Sequence, residues 1–403
     1  MEPNRGSSPK APWRDTASAA LARTVWVAAA ALACSAPASA ETRGYVISWF
    51  ATATNNPDYK VNCPENRNGG QVNLALRNLQ AIGYSKEEAQ KMVNKAGGME
   101  VANADRSIRQ RIVMRGQVDG KPASIYNYPD TVADPNIETV TGKFAYGFDL
   151  GGTEPAAKFE DPDTHEKIDN QLWRAVGCTE SFVATPPVMP YPEELAWQAM
   201  TDSAPAWLIR ITGENLNKDG PVTITLDRST RHPERDATGA YLSAATYIID
   251  PNPRSHNVLQ GQIHNGVLTI QPHEIFLEAE MPYYSEIAMR NTHMRMKLEA
   301  DGRLTGYWGG YQNWRRWIYM YTARSGNNAD TIGLFWAVKK MADSDSDPAT
   351  GEKRYISSTY RMEAVPAYLA QPDGVVVAAP VFDLAHAMAQ TPAAAAAAQV
   401  ASK

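Results

Sequence analysis

Between Trp207 and Trp308 the chain sets out eight short strand patterns separated by turn residues: WLIRIT, VTITLD, YLSAATYIID, VLQGQIH, VLTIQ, EIFLEAEM, MRMKLE and RLTGYW. Apolar and polar residues alternate along most of them, so each strand has one face to bury. Strands this closely spaced point to an antiparallel sandwich or barrel built mainly of hairpins. The expected class is α+β, predominantly β in the second half.

Two turns set the register. Asn265-Gly266 is the preferred type I′ pair, which places Ile263 opposite Leu268, Gln262 opposite Thr269 and Gly261 opposite Ile270. In EADGRL, a two-residue turn would oppose Glu299 to Leu304. A three-residue loop, Ala300-Asp301-Gly302 with a left-handed glycine, instead pairs Glu299 with Arg303, Leu298 with Leu304, Lys297 with Thr305 and Met294 with Trp308. The second register matches like with like and turns Trp308 inward and Tyr307 outward, beside Arg295.

The next residues read as a strand broken at Gly309-Gly310. Beyond the glycines, a strand would line up Trp317, Tyr319 and Tyr321 in one row, an aromatic platform for a sugar. A helix would instead bring Trp314, Trp317, Ile318 and Tyr321 onto one face, capped by Asn313 and followed by Gly326. Both helix-end signals are present, so a core-facing helix is expected. Thr331 to Met341 reads as another helix, and RYISSTYRM as a last strand.

The first half carries mixed signals. Gln71 to Ile82 has helical spacing, Ser85 and Glu88 form a capping box, and Asp119-Gly120 marks a bend between short strands. A proline-dense stretch, TPPVMPYP, interrupts the chain at 185–192. The expected organisation is an α+β domain over 41–184, a linker with a short helix over 185–200, a β-rich domain with helices over 201–369, and an Ala/Pro-rich mobile tail over 370–403.

The N-terminus presents Lys10, Arg14 and Arg23, an apolar run from Val25 to Ala33 and an A-x-A site at Ala38-Ser39-Ala40. That order is a secretory signal peptide, and its apolar run falls short of the roughly 20 residues that cross a bilayer. The expected mature chain starts near Glu41 in the periplasm or outside the cell, with no transmembrane segment. Leu32-Ala33-Cys34 approaches a lipidation site but lacks the large aliphatic residue expected at Ala31.

Cleavage there would remove Arg5, Lys10, Arg14, Arg23, Glu2 and Asp15 from 39 basic and 44 acidic residues, leaving 35 against 42 and a net charge of −7. Nucleic acid is thereby disfavoured as a partner, because it demands a basic surface. Cys63 and Cys178 are the two cysteines left, and in an oxidising compartment they have only each other. Their bridge would be worth on the order of 4 kcal/mol.

Several clusters are candidates for chemistry. Asp161, Asp163, Glu166 and Asp169 in DPDTHEKIDN gather carboxylates as a calcium or other hard-metal site does, and they read equally as an exposed acidic loop. Asp343, Asp345 and Asp347 alternate like calcium ligands, but Pro348 and Arg354 break the EF-hand pattern. A strand carrying Glu274, Glu278 and Glu280 beside one carrying His293, Arg295, Lys297 and Glu299 would form a charged face with Tyr307 on it, a candidate ligand site. HExxH, GxSxG, Walker A and GxGxxG motifs are absent.

The function expected from these residues is non-catalytic binding of a ligand or protein partner, with calcium as the one cofactor worth testing. The alternatives are a secreted enzyme using carboxylates on a glycan or other polymer and an accessory subunit of an exported complex.

Overall fold

The computed structural model describes residues 40–55, 57–66, 68, 70–95, 114–125, 127–151, 158–179, 182–184, 193–194, 197, 202–279, 286–325 and 331–381. Among them eight strands close an antiparallel barrel: β1 (Glu41–Thr52), β2 (Trp207–Gly213), β3 (Gly220–Arg228), β4 (Asn257–His264), β5 (Val267–Ile270), β7 (Glu286–Leu298), β8 (Leu304–Asn313) and β9 (Lys353–Pro366). β9 pairs back onto β1, from Tyr45 opposite Pro366 to Thr52 opposite Tyr360. A further strand, β6 (His273–Glu278), branches onto the first half of β7.

Eight strands leave an interior just wide enough for side chains. Here it is packed with rings: Phe50 stacks on Tyr360 at 4.6 Å and meets Trp207 and Trp308 edge-on at 5.2 and 5.5 Å. Met294, Met296 and Met362 fill the irregular space left between them.

Both expected hairpin registers are present. Ile263 faces Leu268 across Asn265-Gly266, both residues left-handed at φ 50° and 75°. Leu298 faces Leu304 and Met294 faces Trp308, with Gly302 left-handed at φ 85°. The expected break at Gly309-Gly310 is corrected, because β8 runs through both residues to Asn313. These glycines admit close neighbours: a Cβ on Gly309 would lie 2.6 Å from the Phe148 ring, and one on Gly310 2.8 Å from the Arg290 carbonyl.

Directly after β8, helix α4 (Trp314–Ser325) begins where the Asn313 side chain accepts from the Arg316 amide at 2.9 Å. Its Trp314, Trp317, Ile318 and Tyr321 are buried while Tyr319 is exposed, so the helical stripe is core. Helix α5 (Thr331–Met341) supplies Phe335, whose ring lies 5.5 Å from Trp314.

A separate α+β unit over 41–184 is not confirmed: Glu41–Thr52 is a wall of the barrel. The local features are those expected: α1 (Gly70–Ala81), α2 (Lys86–Lys95) with reciprocal Ser85 and Glu88 hydrogen bonds, and a bend at Asp119-Gly120. They build a satellite core around Leu79, Val93 and Ile125. Helix α3 (Gln171–Val176) packs on β9 and α5.

YLSAATYIID contributes only Thr246–Ile248, which joins Tyr368–Ala370 and Val376–Ala378 in a small sheet over β1 and β2. Part of the expected tail from 370 is thus strand; 382–403, the expected linker at 185–192 and the expected signal peptide over 1–39 lie outside the described residues. Cys63 and Cys178 are bonded, 115 residues apart, within a cluster that includes Trp173 and Phe159. No described helix is long and apolar enough to cross a membrane.

Candidate functional site

Of the expected ligand residues, Tyr307, Arg295 and His293 share the outer wall of β7 and β8, and Tyr146, Phe148 and Asp161 of the same chain lie against them. Tyr146 stacks on Tyr307 at 4.8 Å and Phe148 on His293 at 5.6 Å, while Arg295 donates to the buried Asp161 carboxylate at 2.9 Å. Burial would raise the Asp161 carboxyl, but Arg295 and the amides of Asp163 and Thr164 outweigh it and hold it below the usual range. Burial pushes the Tyr307 hydroxyl up and the His293 ring down. All three side chains are left half-buried.

Glu278 lies elsewhere. β6 pairs with residues 286–292 of β7, which sets Glu278 opposite Glu286, whereas Arg295 lies opposite Thr269 and Tyr307. The expected confrontation of Glu278 with Arg295 is therefore corrected: Arg228 at 3.2 Å and Arg254 at 3.0 Å hold Glu278. Glu280 lies outside the described residues.

The metal candidates point apart. Asp163 and Glu166 are exposed, Asp161 is taken by Arg295, and Asp169 accepts from the Leu150 amide at 3.0 Å with Lys158 at 3.6 Å. Among the described residues no group of three or more His, Cys, Asp or Glu converges as a cation site. In the second acidic loop Asp345 binds Arg354 and Asp347 caps the Ala349 and Thr350 amides.

Asp343 is buried and accepts from the Ser357 amide and hydroxyl at 2.8 and 2.7 Å. Burial outweighs those bonds and pushes its carboxyl up to about 6 from 3.8. A raised folded value contributes stability that is full below pH 3.8 and is lost as pH rises through 6, about 3 kcal/mol in all. Asp343→Asn should therefore melt above the parent at pH 7 and level with it near pH 4. Parallel melting curves across that window would contradict this assignment.

The open concavity lies at the end of the barrel where β4 and β6 start, β7 begins and β8 passes into α4. It is a cleft of about 580 Å³, within the size of small-molecule sites, which favour barrel mouths. Its charges are mutually satisfied: Glu286 pairs with Arg316 at 2.5 Å, and Arg290 reaches Glu274 at 3.5 Å and Asp345 at 3.4 Å. Arg290 also lies 4.4 Å from the centre of the Tyr355 ring, and Arg254 4.8 Å from that of Phe276.

Gln312 sits in the floor, only 6% exposed. Its Nε2 donates to the Tyr360 hydroxyl at 2.7 Å inside the barrel, and its Oε1 is left without a partner among the described residues. With no protein donor on it, that oxygen can accept a hydrogen bond from a molecule in the cleft.

Beside the cleft, the His256 Nδ1 lies 2.6 Å from Asp227 Oδ1, and the second Asp227 oxygen is buried and unpartnered. Burial raises the Asp227 carboxyl against the opposing pull of His256. A second pocket of about 710 Å³ is mostly apolar, with Val61 and Phe144 exposed in its wall.

Sequence reasoning missed Gln312, Arg290, Arg316, Phe276 and Tyr355. The one local signal was the Asn313 cap, which fixes the start of α4 and so puts Arg316 on its first turn. Compared with protein families, curated proteins and solved structures, the chain matches none, and its functional reading rests on this geometry.

Proposed function

We propose that this is a non-catalytic binding protein that seats a small polar ligand in the mouth of its barrel. The supporting observation is the Gln312 floor: a nearly buried side chain whose Nε2 is fixed by Tyr360 and whose Oε1 meets no donor among the described residues. A ligand hydroxyl or amide placed there satisfies it. The surrounding ion pairs hold the cleft in shape before the ligand arrives, which lowers the ordering cost of binding. The Cys63–Cys178 bridge fits an oxidising, exported setting for that role.

Ala288 lines the cleft and is exposed on β7, so Ala288→Trp fills the space from a position that tolerates a large side chain. Screening oligosaccharides, dipeptides and amino acids by thermal shift should find a compound that raises the melting temperature of the parent. The variant should lose that shift while its own melting point stays within about 2 °C, as surface substitutions do. A shift that survives in Ala288→Trp places the ligand elsewhere and sinks this reading.

A further inference from the structure

We infer that the ligand of the barrel mouth is a neutral oligosaccharide, and this deepens and rests on the binding role just proposed. The cleft offers two carboxylates, Glu274 and Glu286, and two guanidinium groups, Arg290 and Arg316, already matched in pairs. An ionic ligand would have to compete with these contacts, and displacing Arg316 would leave the nearly buried Glu286 carboxylate uncompensated. A neutral polyol breaks none, because its hydroxyls donate to the carboxylate lone pairs still free and accept from the remaining guanidinium N–H groups.

The apolar part of the wall fits the same class. Phe276 and Tyr355 both line the cleft, and each has a guanidinium on one face, from Arg254 and Arg290 respectively. Both rings are half-buried and line the cleft, so part of each is open to a ligand. The C–H face of a pyranose is flat, apolar and of matching size. Gln312 Oε1 then takes a sugar hydroxyl, a donor that brings no charge into the floor.

The test is calorimetric titration of the full exported chain with two panels. One holds neutral trisaccharides, α- and β-linked, of glucose, galactose, mannose and N-acetylglucosamine; the other holds zwitterionic dipeptides. We expect saturable binding of at least one trisaccharide, weakened about tenfold or more by Phe276→Leu and by Tyr355→Leu through lost stacking. Gln312→Met should weaken it comparably, and because Gln312 also holds Tyr360, each variant is checked for an unchanged cooperative melt.

Dipeptide binding that Ala288→Trp abolishes, with no trisaccharide bound, overturns the saccharide class and leaves the cleft as the site. Trisaccharide binding that Ala288→Trp, Phe276→Leu and Tyr355→Leu all leave unchanged overturns the cleft itself. Silence from both panels counts against both.

Discussion

Replacing both Cys63 and Cys178 with serine should lower the stability of the folded chain by about 5 kcal/mol, the chain-entropy value for a loop of this length. With an unfolding entropy scaled to a chain of this size, that is a fall of roughly 6 °C in melting temperature. The size of the effect follows from what the bridge ties together. Cys63 follows β1, Cys178 follows α3, and 115 residues separate them. Without the bond, the unfolded chain regains the freedom of that loop, and the packing of Trp173 and Phe159 around the sulfurs loses its clamp. Scanning calorimetry of the double variant beside the parent measures it directly. A melting point unchanged within error would mean that the surrounding core alone holds the segment.

The second large effect is Trp308→Ala. Trp308 is fully buried in the barrel interior with Phe50 at 5.5 Å, and removal of so large a side chain from a closed cylinder leaves a cavity that the strands cannot collapse to fill. The expected cost is about 3–5 kcal/mol. Its neighbour Tyr307 points the other way and is half-buried under Tyr146. Tyr307→Ala should cost about 1–2 kcal/mol, from a lost stacking contact and a partial cavity. Urea unfolding of the two variants decides the matter: comparable losses would mean that the inward and outward assignments along β8 are wrong.

What could be read from the sequence was local. Asn265-Gly266 and the Ala300-Asp301-Gly302 loop fixed two registers, because turn chemistry acts over a few residues and alternation then carries it along both strands. The Asn313 cap and the Trp314, Trp317, Ile318 and Tyr321 stripe gave α4 for the same reason. Closure of the barrel was not legible. Tyr45 opposite Pro366 is a pairing across most of the chain, and nothing near either residue announces it.

The candidate site failed at the same range. Alternation placed Tyr307 and Arg295 on an outward face, as observed, but could not show that Tyr146, Phe148 and Asp161 come back to cover them. Glu278 went astray because β7 is long enough to take two partners, β6 on residues 286–292 and β5 on residues 295–297. The cleft was invisible because its lining is drawn from β4, β6, β7, β8, β9 and α4. Such a surface exists only once the mouth of the barrel has formed.

The measurement that bears most directly on the binding site is hydrogen exchange of the parent chain, with and without a compound found in the thermal-shift screen. Ligand in the barrel mouth should slow exchange at residues 275–276, 286–290 and 312–317, with no change at 57–62 and 141–144 around the apolar pocket. Protection confined to that pocket, or to the Tyr146 and Tyr307 wall, would contradict it.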